Sequence, residues 1–87
     1  MNQVKIGTFL KELRKQKGLT QEQFAEIVNV SNRTVSRWEN GYNLPDLDVL
    51  IELADYYEVD LREILDGERK GDKMNKDLDE TILKTTD

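Results

Sequence analysis

One stretch of the chain concentrates side chains with distinctive hydrogen-bonding chemistry: Asn32, Arg33, Thr34, Ser36 and Arg37 lie close together with no acid among them. An arginine fork fits the O6/N7 edge of guanine, an asparagine amide fits the N6/N7 edge of adenine, and serine or threonine hydroxyls fit either. A merely solvated helical face would mix Glu with Lys, whereas the first acid here is Glu39. The pattern suits a surface that reads base edges. Other chemistries are largely closed off, because the chain has no His and no Cys. That removes imidazole bases, thiol nucleophiles, disulfides and most metal sites. The carboxylate pairs Asp46/Asp48 and Asp77/Asp79 sit at a helix start and in the tail, with no partner nucleophile or fixed pocket in prospect. No catalytic residue, cofactor or metal is expected, and 87 residues make one small domain without room for a large cleft.

The formal charge of -5 argues against a phosphate-rich partner when taken as an average. Resolved by position, it does not. Residues 1–41 carry seven Lys and Arg against four Glu, a net +3, and residues 42–87 carry six against fourteen acids, a net -8. Such asymmetry between halves points to nucleic-acid contact by the basic half.

Side chains that read bases must stand on a rigid element, and the apolar spacing supplies candidates. Ile6, Leu10 and Leu13, widened by Phe9, predict a helix from Val4 to Lys17 that Gly18 ends in left-handed conformation. Thr20 and Gln23 form a capping box for a second helix over 21–28, with Phe24, Ile27 and Val28 inward and Asn29 at the turn. Ser31 is the N-cap of a third helix that carries Val35 and Trp38 on its inner face and stops at Asn40-Gly41. Trp38 reads as core rather than as a stacking platform. A fourth helix over 46–57 follows from Leu47, Leu50, Ile51, Ala54 and Tyr57, its outside acidic with Asp48, Glu52, Asp55 and Glu58. Asp60 and Glu63 cap a fifth, with Leu61, Ile64 and Leu65 inward and Gly67 at its end. The fold class is all-α, and the folded domain spans 1–67.

Residues 68–87 read as a charged linker, or as the start of a C-terminal helix marked by Leu78, Ile82 and Leu83, in which case the chain is a fragment of a longer protein. No apolar run approaches the roughly 20 residues of a membrane span, and nothing in the N-terminus resembles a secretory signal.

The second and third helices, joined by a short turn, have the spacing of a helix-turn-helix. The stretch TQEQFAEIVNVSNRTVSRWENG, with KELRKQKGLTQEQ before it and LPDLDVLIELADYY after it, resembles the Xre family of lambda-repressor-like DNA-binding domains from Val4 to Gly67. Asn29 departs from the glycine many members have at the turn. The resemblance implies a compact five-helix domain in a bacterial or phage transcriptional regulator, a repressor by preference, acting in the cytoplasm. It implies that Asn32, Arg33, Ser36, Arg37 and Thr34 read bases, with phosphate contact as the alternative role for Arg33. It implies phosphate contacts from Gln21, at a helix N-terminus that favours an anion in any case, and from Arg14, Ser31, Asn40, Tyr42, Asn43 and Lys5. It further implies an Arg14–Glu39 ion pair that locks the first helix against the third. For Tyr42, packing over the loop is an equal alternative.

The expected partner is double-stranded DNA with a palindromic operator, bound by a homodimer that forms at least on DNA. A C-terminal effector domain or a partner protein is the further expectation. An alternative use of the same fold is a protein-interaction module or antitoxin-like adaptor, for which the acidic half and the tail would supply the surface.

Overall fold

A helix leaves its first N–H and last C=O groups without partners, and short helices exist only where those groups are satisfied. The computed structural model describes residues 2–69, which form α1 (Gln3–Gln16), α2 (Gln21–Val28), α3 (Asn32–Glu39), α4 (Leu47–Tyr57) and α5 (Leu61–Asp66). Among the described residues there is no strand, and no helix is long and apolar enough to cross a membrane. The tail residues Leu78, Ile82 and Leu83 lie outside the described residues.

N-terminal caps account for where the helices begin. Asn2 accepts the Lys5 N–H at 3.0 Å, which starts α1 one residue before the expected Val4. Thr20 and Gln23 close a reciprocal capping box on α2, Ser31 accepts the Thr34 N–H on α3, and Asp60 and Glu63 repeat the box on α5. Asp46 precedes α4 without a side-chain capping bond, so it acts there through charge alone.

The five C-termini share one device. Residues Gly18, Asn29, Gly41, Glu58 and Gly67 all have positive φ, and the following N–H turns back to a carbonyl five residues earlier. Leu19 reaches Arg14, Val30 reaches Ala25, Tyr42 reaches Arg37, Val59 reaches Ala54 and Glu68 reaches Glu63, at 2.9–3.1 Å. This is the Schellman arrangement. It folds an apolar residue back over the core at three of the five turns, where Leu19, Val30 and Val59 are half-buried.

Helix α1 packs on α3 and α5, α2 packs on α3, and α4 packs on α5. Ile6, Phe9, Leu10 and Leu13 of α1 meet Phe24, Ala25, Val28, Val35, Trp38, Leu50, Leu53, Ala54, Tyr57 and Ile64 in one core. Trp38 belongs to that core. Two expected inner faces are displaced. On α4 the buried row is Leu50, Leu53, Ala54 and Tyr57, while Leu47 and Ile51 are 60% and 44% exposed. Apolar residues there occupy two overlapping rows, 47-50-51-54 and 50-53-54-57, and period alone favours neither; contact with the other helices selects the second. On α2, Ala25 takes the inward place assigned to Ile27, which is largely exposed, because a two-turn helix buries only the stripe 24-25-28.

Gly7 fixes the approach of α1 to α3. A Cβ at this position would lie 2.2 Å from the Trp38 carbonyl oxygen and 3.0 Å from that of Glu39. The absence of a side chain thus lets α1 touch the backbone at the end of α3 and sets the angle at which α3 is presented.

Candidate nucleic-acid interface

Helix α3 has two chemically distinct sides. Val35 and Trp38 anchor the inner side, and Asn32, Arg33 and Arg37 are exposed on the other. Thr34 and Ser36 are half-buried and locally engaged: the Thr34 hydroxyl lies 2.8 Å from that of Ser31, and Ser36 accepts from the Asn40 amide at 3.3 Å. Of the five side chains expected to read bases, three therefore stand clear of the surface, and two form the frame beneath them.

The single acid of α3 does not face solvent. Glu39 turns inward and is 7% exposed. Arg14 pairs with it in a fork, Nε donating to Oε2 at 2.7 Å and Nη2 to Oε1 at 3.1 Å. The third Arg14 contact, Nη1 to the Leu19 carbonyl at 2.7 Å, ties the same guanidinium to the turn before α2. Gln21 then completes a cluster by donating its amide to Glu39 Oε1 at 2.9 Å. One buried carboxylate thus holds α1, α2 and α3 together, with each of its oxygens engaged and its charge neutralised within the fold. Two polar residues far apart in sequence carry no signal that would join them, and the Gln21–Glu39 bond was not foreseen.

The geometry changes the place of two phosphate-contact candidates. Arg14 is 7% exposed with a bond from each of its three nitrogens directed to Glu39 or Leu19, so it serves the helix junction rather than standing out as a surface cation. Lys5 is exposed but lies 2.6 Å from Glu68, because Gly67 runs so close to the Lys5 backbone that a Cβ on it would stand only 3.0 Å away, which brings that carboxylate to the lysine. Half of each side chain is open to water, so the pair is a weak one. The remaining candidates border α3. Ser31 sits at its start, Gln21 is half-buried at the start of α2, and Asn40, Tyr42 and Asn43 are exposed where α3 ends.

Beyond these polar groups, the Arg37 guanidinium lies 5.8 Å from the centre of the Tyr42 ring. Tyr57, stacked on Phe24, carries a buried hydroxyl with no hydrogen-bond partner. Burial pushes its phenol well above the usual range; the neighbouring Tyr56 and Glu39 add to the shift and Arg14 opposes it. Among the described residues, no group of three or more acidic side chains is placed to hold a metal ion.

Known proteins resemble this arrangement at the level of both sequence and fold. The chain is 33% identical to the HTH-type transcriptional regulator ImmR of Bacillus subtilis (strain 168), over 94% of this chain and 68% of that protein. It is 41% identical to the HTH-type transcriptional activator BcrR of Enterococcus faecalis over 68% of this chain, which spans 29% of that protein. Among solved structures, the restriction-modification controller protein C.AhdI from Aeromonas hydrophila superposes with a TM-score of 0.61 at 34% identity, covering 70% of this chain and 92% of that one. The sequence model described as "Helix-turn-helix" matches residues 10–64, which take in the second half of α1, all of α2, α3 and α4 and the start of α5, and the chain belongs to this family of DNA-binding transcriptional regulators.

Proposed function

We propose that the chain regulates transcription by binding duplex DNA sequence-specifically, with α3 lying in the major groove. The observation that carries this reading is the exposed row Asn32, Arg33 and Arg37 on a helix whose only acid, Glu39, is buried and neutralised. Arg33 and Arg37 offer forks to guanine and Asn32 offers an amide to adenine. Ser31, Gln21, Asn40 and Asn43 border the row and hold the backbone phosphates, the Gln21 N–H lying at a helix N-terminus. The acidic outside of α4, with Asp48, Glu52 and Asp55 exposed, repels phosphate and so limits docking to the α3 side. Two copies bind a palindromic site, with half-sites about one helical turn, roughly 34 Å, apart.

Selection of bound duplexes from a randomised pool tests the reading. A recovered site with two-fold symmetry is expected, with Arg37→Ala relaxing one position per half-site and Gln21→Ala weakening all sequences alike. Each phosphate neutralised by a Lys or Arg adds about -0.9 to the slope of log K against log salt, so a clearly negative slope is expected. No recoverable site, together with a slope near zero, is the result that overturns the proposal. A protein-interaction module built on the same fold would give that outcome.

A further inference from the structure

We infer that Tyr42 is a positioning residue for Arg37: its ring is a shelf that orients the guanidinium before DNA arrives, and its hydroxyl is secondary. The inference rests on the DNA-binding reading above and deepens it. Three observations converge on this pair. First, the backbone fixes where Tyr42 can be. The Tyr42 N–H donates to the Arg37 carbonyl at 2.9 Å and the Gly41 N–H to that of Trp38 at 3.1 Å, which closes the reversal at the end of α3.

Second, the residue between them is held rigidly. Gly41 has φ of 80°, and a Cβ on it would stand 2.9 Å from the Val4 side chain and 3.0 Å from the Val4 Cα. The turn is clamped against the start of α1, so the direction in which Tyr42 leaves it is built into the fold. Third, this type of reversal commonly brings the side chain after the glycine onto the residue five positions before it, usually as an apolar contact. Here those two residues are Tyr42 and Arg37, and the contact takes the form of a guanidinium over an aromatic face, 5.8 Å from the ring centre. Among the described residues no ion pair involves Arg37.

Burial does not explain the ring, because Tyr42 is 70% exposed. An arginine side chain gives up substantial rotamer freedom when it is fixed on a base. A ring that already restricts Arg37 removes part of that loss on binding, and does so only for the base pair that Arg37 reads. Tyr42 therefore influences specificity at one position without touching a base.

The test compares wild type, Tyr42→Phe, Tyr42→Ala, Arg37→Ala and the double alanine variant, by duplex selection and by affinity for single-base-pair changes in the recovered site. Exposed cation–π contacts are modest, so Tyr42→Ala is expected to lose about two- to fivefold discrimination at the Arg37 position and little elsewhere. Tyr42→Phe should behave as wild type, and Tyr42→Ala should add nothing at that position once Arg37 is gone. Melting temperatures should be unchanged. A DNA-free readout accompanies these: the Arg37 side-chain proton resonances should carry a ring-current shift that Tyr42→Phe preserves and Tyr42→Ala abolishes. An equal loss at all sequences, or a Phe variant as weak as the Ala variant, makes Tyr42 a phosphate contact and overturns the inference. A wild type that selects no duplex overturns the parent reading, and with it this role.

Discussion

Arg14 and Glu39 meet in a two-point fork, at 2.7 and 3.1 Å, with side chains only 9% and 2% exposed. Removing one partner of a buried pair costs about 3–5 kcal/mol, because the other charge is left without compensation. A domain of this size has a total stability of about the same order. Glu39→Gln should therefore lower the melting temperature severely, as read by circular dichroism. Replacing both residues by Met should recover part of the loss, since no lone charge remains.

Gly7→Ala offers a test in which two effects oppose each other. Alanine raises helix propensity by about 1 kcal/mol. The added Cβ, however, would meet a backbone oxygen at 2.2 Å, and backbone cannot swing aside as a side chain can. Net destabilisation by about 1–3 kcal/mol is expected from denaturant titration. A more stable Ala variant would show that α1 does not approach α3 this closely.

Glu58 occupies the left-handed position after α4, with φ of 58°, where the other helices use glycine or asparagine. Its Cβ is strained there, and its negative charge opposes the helix dipole at a C-terminus. Glu58→Gly should stabilise the fold by about 1 kcal/mol, a gain of roughly 4–8 °C in melting temperature. DNA affinity at saturating fold should not change, because the residue lies outside the α3 face.

Tyr57 gives a pH-dependent prediction. Its hydroxyl is buried without a partner, a situation that costs about 1–3 kcal/mol, so Tyr57→Phe should be neutral or stabilising at pH 7. The phenol's folded pKa is raised above its unfolded value of about 10. Its contribution to stability is therefore complete below about pH 10 and is lost as pH climbs from there toward the folded value. Denaturant titrations at pH 7 and pH 11 should show wild type losing stability that the Phe variant keeps.

What the sequence made legible was local chemistry. The pairs Thr20/Gln23 and Asp60/Glu63 sit three residues apart and declare their helices without help from the rest of the chain, as do Gly18, Asn29 and Gly41 at the ends. Choices made by tertiary contact were not legible. The α4 pattern fits two registers, and only packing buries Leu53 in place of Leu47. The Gln21 amide meets Glu39 through the crossing of two helices, which no spacing encodes. Gly7 left only a faint trace, since a lone glycine inside a helical pattern weakens the helix signal without saying what packs against it. Glu58 left none, because its residue type is unsuited to the conformation it adopts.

The helices are 14, 8, 8, 11 and 6 residues long, and all but the first fall below the length at which a helix persists alone in water. None of their reversals closes on a free-standing segment; each leans on a neighbour. The α3 surface consequently has no existence apart from the folded whole, and loss of cooperativity anywhere removes it entirely. Occupancy of DNA and the folding equilibrium become one linked quantity, in which a bound duplex stabilises the domain by mass action and a remote core substitution lowers binding without altering which bases are preferred.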